Sequence, residues 1–167
     1  MSLTSEDRDA ATRLAIHQSR DDLLAFVMLM NPSFSIGPHH RVLCDQLMRL
    51  EKGETDRLMV FISPRSSKSS ITSTYFPAWA LGIAGFGAHL AIIDDPISEQ
   101  DAYSKTRRDS LNAWYASGLR TRLMPGGKVV LVMTRWHETD LAGFLLEQEH
   151  SAPMADKWEV IRIPALN

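Results

Sequence analysis

Two short segments of this chain place reactive side chains where chemistry on a phosphate ester is possible. One is Ser63-Pro64-Arg65-Ser66-Ser67-Lys68-Ser69-Ser70, a lysine and an arginine set among hydroxyls; the other is the carboxylate pair Asp94-Asp95. A nucleoside triphosphate needs backbone N–H groups curled around its phosphates, a lysine on the terminal phosphates, a hydroxyl on magnesium, and a carboxylate beyond an adjacent strand. In that scheme Lys68 is the phosphate lysine, Ser69 the magnesium hydroxyl, and Arg65 an extra cation inside the loop. Asp94 holds magnesium through water, and Asp95 stands where a base polarising the attacking water belongs. The loop departs from the usual pattern because it contains no glycine. Ser67, directly before the lysine, is the serious departure, since a side chain there can clash with the phosphates or resist the backbone angles required. The competing readings are structural: a solvated Ser/Arg/Lys turn after a strand, and a strand-ending turn with a helix-capping aspartate.

These residues must be held by elements that the pattern of apolar residues outlines. Before Arg57 the signals are helical. Ser5 to His17 suits a polar first helix, and Asp21 and Asp22 open a second over Leu23 to Met30, which Asn31-Pro32 stops. A third runs from about Pro38 to Lys52, with Val42, Leu43, Leu47 and Leu50 at helical spacing and Gly53 as the stop. From Arg57 short apolar runs alternate with helical stretches, as in parallel α/β domains. Leu58–Ile62, Leu90–Ile93, Val129–Met133 and Val160–Ile163 read as strands. Between them lie helices running from the lysine loop to about Leu81, from about Ser98 to Ser117, and from Glu138 to about Glu149. Three successive strands end in polar residues, the third in Thr134-Arg135-Trp136-His137, and ligands of open α/β sheets bind at that end.

Composition sets the outer limits. With 167 residues, 44% of them hydrophobic and 23% charged, the chain suits one globular domain with a real core. Residues 1–56 form its helical segment and residues 57–167 its α/β part. A single cysteine, Cys44, leaves no intramolecular disulfide and no multi-cysteine zinc cluster. The longest strongly apolar run, Leu23 to Met30, is too short to span a bilayer, which takes about 20 residues. The net charge of −2 gives no global reason to expect nucleic acid. Between Lys105 and Arg122, however, Lys105, Arg107, Arg108, Arg120 and Arg122 face a single acid, Asp109. Such a surplus suits sequence-independent phosphate contact, or else a solvated helix face.

Taken in order, the segments from Arg57 to Ser70, Phe76-Pro-Ala-Trp-Ala-Leu-Gly82, Gly87-Ala-His-Leu-Ala-Ile-Ile-Asp-Asp-Pro96, Trp114-Tyr115, Thr121-Arg-Leu-Met-Pro125 and Thr134-Arg-Trp-His-Glu-Thr-Asp-Leu141 resemble signature segments of bacteriophage terminase large subunits. The resemblance spans about Phe26 to Leu166. It implies a P-loop NTPase of the additional-strand type, hydrolysing ATP with Mg²⁺ to drive double-stranded DNA into a procapsid in the host cytoplasm. Its partners would be non-specifically held DNA, a portal protein and a small terminase subunit, with no membrane. By position, Lys68 and Ser69 match the Walker A lysine and hydroxyl, Arg65 the arginine of that loop, and Asp94 the Walker B carboxylate. Asp95 sits at the place of the catalytic acid, a glutamate in many relatives. Thr134 begins the third motif, which couples hydrolysis to movement. Trp136 reads better as packing than as a ligand contact, and His137 as a cap or a satisfied polar residue.

Two departures qualify the implied activity. Asp94 follows Lys68 by only 26 positions, so the middle section that the family places between these motifs looks missing. The sequence also ends near the close of the ATPase region, without the nuclease half. In the sheet order that the resemblance implies, the missing strand would lie at an edge, which leaves a parallel sheet of about four strands. Their expected order is the Asp94 strand, the Thr134 strand, the Lys68 strand and the Val160 strand, with flanking helices and an N-terminal helical segment. The bared Asp94 strand would invite self-association into a homo-oligomer. The alternative to a motor domain is a noncatalytic remnant or binding module with impaired ATP binding. For the base of a nucleotide, Gln46 or residues around His39 and His40 are the expected neighbours.

Overall fold

A computed structural model describes residues 5–64, 66–82 and 90–163. Arg65 and the Gly85–His89 stretch before the acidic strand lie outside the described residues, as do residues 164–167. Three helices come first: α1 (Ser5–Asp21), α2 (Leu23–Met30) and α3 (Pro38–Glu51). The boundary between α1 and α2 is set locally. Asp22 adopts an extended backbone and its carboxylate accepts from the Leu24 and Ala25 N–H groups, a side-chain N-cap. α1 runs four residues past the expected His17, up to that cap.

The strands β1 (Arg57–Ile62), β2 (Leu90–Asp94), β3 (Lys128–Met133) and β4 (Glu159–Ile163) pair only in parallel, in the order β2-β3-β1-β4. This is the order expected from the sequence. The central strands β1 and β3 are buried along nearly their whole length, as an apolar run covered on both faces should be. Leu58, Val60, Val130 and Val132 face one layer, where α2, α3 and α4 (Phe76–Gly82) supply Leu23, Val27, Leu43, Leu47 and Phe76. Met59, Phe61, Leu131 and Met133 face the other, closed by Tyr115, Leu141, Leu145 and Trp158. The helical segment therefore shares one core with the sheet.

Two helical stretches are internally irregular where the sequence reads as regular helix. The stretch after Lys68 contains a wide π-helical turn, Ser70–Tyr75, before α4. There the Thr72 hydroxyl donates to the Lys68 carbonyl at 2.9 Å, a back-bond that loosens helical geometry. The single helix expected over Ser98 to Ser117 is broken into α5 (Glu99–Ala102), α6 (Lys105–Ala113), a π turn (Trp114–Leu119) and a 3₁₀ turn (Arg120–Arg122). Arg108, buried, donates to the Ala102 carbonyl, and Ser117 and Thr121 bond back to the carbonyls four residues earlier. Side chains thus take bonds that a regular helix would give to the backbone.

The last helix, α7 (Leu141–Ser151), starts three residues later than expected, because the buried Asp140 caps it by accepting from the Gly143 N–H at 3.1 Å. Residues 137–140 fold back over that first turn. A Cβ on Gly143 would lie 1.8 Å from the Glu138 carbonyl oxygen, so only glycine fits there. No helix among the described residues is long and apolar enough to cross a membrane.

Candidate functional site

The carboxyl ends of β1, β2 and β3 converge on Lys68. Although a lysine, it is only 5% exposed at its side chain, and Nζ lies 2.7 Å from Asp95 Oδ2. A buried ammonium without such a partner would be costly, so this ion pair is what lets the lysine point inward. Nζ also lies 3.5 Å from Thr134 Oγ1. Thr134 ties the three strand ends together: its N–H donates to Asp95 Oδ1 at 2.9 Å and its hydroxyl to the Ile62 carbonyl at 3.3 Å. Lys68, Asp95 and Thr134, taken from three separate segments of sequence, thus form one connected unit.

Asp94 is placed differently. Its Oδ2 accepts from Ser73 Oγ at 3.0 Å, whereas Oδ1 is buried and has no hydrogen-bond partner. The hydroxyl nearest Asp94 in this arrangement is therefore Ser73, on the π turn, which the sequence reading did not single out. Ser69 and Ser70 are exposed at the start of the helical stretch. Ser63 accepts the Ser66 hydroxyl at its carbonyl, 2.8 Å, and Pro64 is exposed, so the first half of the loop is a small side-chain-closed turn.

Backbone conformation marks two positions. Ser67 has φ of +55° and Asp95 φ of +40°, the two non-glycine residues with positive φ among the described residues. That is the region glycine enters without cost and other L-residues resist. Ser67, directly before Lys68, thus adopts a geometry that glycine would take without strain, in spite of its side chain.

His40, expected from the sequence as a neighbour of a nucleotide base, supports the loop from outside. His40, 3% exposed, accepts the Gly37 N–H on Nδ1 at 2.9 Å, and its Nε2 lies 2.9 Å from the Ser66 carbonyl. With Nδ1 an acceptor, Nε2 carries the hydrogen and donates. Burial holds the imidazole below the ordinary histidine range; the Ser66 bond opposes this, and neighbouring His39 adds to it. His40 occupies the third position of α3 and bonds the N-cap backbone, the role usually filled by Glu or Gln. That substitution hid the signal in the sequence. Gln46 instead bonds Arg49, which pairs with Glu159 at the start of β4, the sheet end opposite the loop.

Beside the loop, a cleft of about 590 Å³ opens between the ends of β1, β3 and β4, with Ser63, Thr134, Trp136, His137, Arg162 and Ile163 on its walls. Trp136 is half-buried and packs against the core. His137 accepts the Thr139 N–H at 3.1 Å, a satisfied polar residue. Arg135 is occupied, bonded to Asp140 at 2.8 Å and to the carbonyls of His137 and Glu138. No family model matches the chain, and no curated protein or solved structure gives a significant match.

The basic stretch is dispersed by the broken helix. Lys105 pairs with Asp109, Arg107 lies 3.8 Å from Asp101, Arg120 lies 3.3 Å from Asp156, and Arg108 is buried. Arg122 bonds the Gly118 carbonyl at 3.0 Å.

Proposed function

We propose that this chain is the ATPase part of a bacteriophage terminase large subunit, a P-loop NTPase of the additional-strand type. The observation that carries the reading is the Lys68–Asp95–Thr134 unit at the carboxyl ends of three neighbouring parallel strands. In this reading a triphosphate displaces Asp95 from Lys68. The lysine then neutralises charge on the phosphoryl group in transfer, and the freed carboxylate accepts a proton from the attacking water. Asp95 also holds the Thr134 N–H, so its movement is felt at the end of β3. Arg65, from the same loop, is assigned a second cationic contact by the family pattern.

Asp94 fits a magnesium ion. Its buried, unpartnered Oδ1 asks for a cation or a donor, and Ser73 fixes the plane of the carboxylate. Magnesium is commonly held by one or two carboxylates together with phosphate oxygens and water, so no larger cluster of protein ligands is required. Ser69 would add the hydroxyl. The ion would draw charge from the β- and γ-phosphates. Double-stranded DNA, a portal and a small subunit are the partners this reading implies. Lys105, Arg107 and Arg120 would meet DNA only after releasing Asp109, Asp101 and Asp156, whereas the exposed Arg122 holds only the Gly118 carbonyl.

One observation favours the second reading, a noncatalytic remnant: Ser67 is strained where glycine would be relaxed. Magnesium-ATP binding and turnover of the purified chain, compared with Lys68→Ala and Ser67→Gly, separates the two. The motor reading expects binding that Lys68→Ala abolishes and slow turnover that Ser67→Gly raises. Binding seen only in Ser67→Gly means a decayed site. No turnover in any variant removes the motor assignment.

A further inference from the structure

We infer that His40 is a positioning residue for the phosphate loop, acting through the peptide between Ser66 and Ser67. A trans peptide is planar, with its C=O and N–H pointing in opposite directions. Because His40 Nε2–H holds the Ser66 carbonyl toward α3 at 2.9 Å, the Ser67 N–H is aimed away from α3. That is the orientation in which a loop amide is free to meet an anion. The same tether explains the backbone at Ser67. Turning this peptide over would change φ of Ser67, which stands at +55°, and the relaxed, negative-φ form would point the Ser66 carbonyl inward, where it would repel phosphate.

His40 can serve in this way because its other nitrogen is fixed. Nδ1 takes the Gly37 N–H at the start of α3, and Pro38 opens that helix. The ring is packed by Phe34 at 5.1 Å and by His39 at 3.8 Å between centroids. His39 is the titratable side chain tilted against it from its own helix. From the neighbouring elements, Tyr75 reaches it only through Phe34, and Lys68 follows the tethered peptide with its charge turned to Asp95. The imidazole is thus a rigid strut, neutral and protonated on Nε2, between the helical layer and the loop.

The inference rests on the nucleotide reading for its consequence, but not for its geometry, so the test has two arms. In the first, amide hydrogen exchange at the buried Ile71, whose N–H donates to the Ser67 carbonyl at 3.2 Å, and the imidazole ¹⁵N shifts of His40 are measured in the full chain without nucleotide. The expected result is a neutral Nε2–H tautomer in the wild type. In His40→Phe, exchange at Ile71 should be at least about tenfold faster, as expected for loss of one buried bond, with α3 core amides such as Leu47 unchanged. In the second arm, magnesium-ATP affinity should fall about tenfold in His40→Phe and recover to within about threefold in His40→Gln, which keeps a donor near Nε2. An Nδ1–H tautomer, or Ile71 exchange unchanged in His40→Phe, overturns the inference. If His40→Phe does not fold, His40→Gln and the wild-type tautomer still decide it. A wild-type chain that binds no ATP but passes the first arm counts against the nucleotide reading alone.

Discussion

Ser67 and Asp95 both turn the chain with positive φ at the mouth of the same site, yet they meet that strain in opposite ways. Asp95 offsets it through its own side chain, with one carboxylate oxygen on the Thr134 N–H and the other on Lys68. Aspartate also tolerates left-handed backbone better than most residues. Ser67 is exposed, and the strain there is held by a neighbour, through the His40 bond to the preceding carbonyl. One turn is self-stabilised and the other is imposed, so substitutions should act on them with opposite sign.

The largest effect is expected at Asp95. Asp95→Ala leaves the Thr134 N–H without its acceptor and the Lys68 ammonium without its carboxylate, and puts a β-carbon with no compensating bond at φ of +40°. Since Asp95 is 43% exposed, water recovers part of the loss. A destabilisation of about 2–3 kcal/mol, or a fall of roughly 5–10 °C in Tm, should appear in thermal unfolding. Asp95→Asn sharpens the comparison, because it keeps an acceptor for Thr134 and the tolerance for this backbone but loses the ion pair. About 1 kcal/mol is expected by urea titration. A loss as large as that of alanine would place the whole effect in the charge.

Ser67→Gly should go the other way, gaining about 0.5–1 kcal/mol, since left-handed strain in serine outweighs the entropy glycine loses on folding. Ser67→Ala, which keeps the β-carbon, should leave Tm nearly unchanged. A destabilised Ser67→Gly would show that the turn is not strained. The smallest effect concerns pH. The His40 imidazole is held below its ordinary range, so the unfolded chain binds the proton more readily than the folded one. The stability that neutral His40 contributes is complete above about pH 6.5 and is lost as the pH falls through the depressed folded value. His40→Gln should flatten that part of the stability profile.

The regions that could be read in advance share a property. All four strands fall within one residue of the apolar runs that announce them, and α2 begins at the aspartate expected to cap it. Their signals lie within a few residues of one another. What could not be read depends on partners distant in sequence. The break of the 98–117 helix needs Arg108 to be buried against Ala102, and the loop's support needs His40 to meet Ser66, 26 positions away. Lys68, Asp95 and Thr134 were each nominated from local type, but their mutual contact comes from strand order. The Ser73 hydroxyl that holds Asp94 was not singled out, because side-chain direction in a π turn is not encoded in spacing.

The strand order also fixes when the site can exist. β1, which carries the loop, lies between β3 and β4, and its residue Met59 pairs with Leu131 on one side and with Val160 on the other, about one hundred residues along the chain. Contacts of such long separation slow folding, because a large loop must close before they form. On the ribosome, Lys68 is synthesised well before either neighbour of its strand. The loop that carries Lys68 is thus among the earlier parts of the α/β region to be made, and its sheet setting is complete only after β4 emerges.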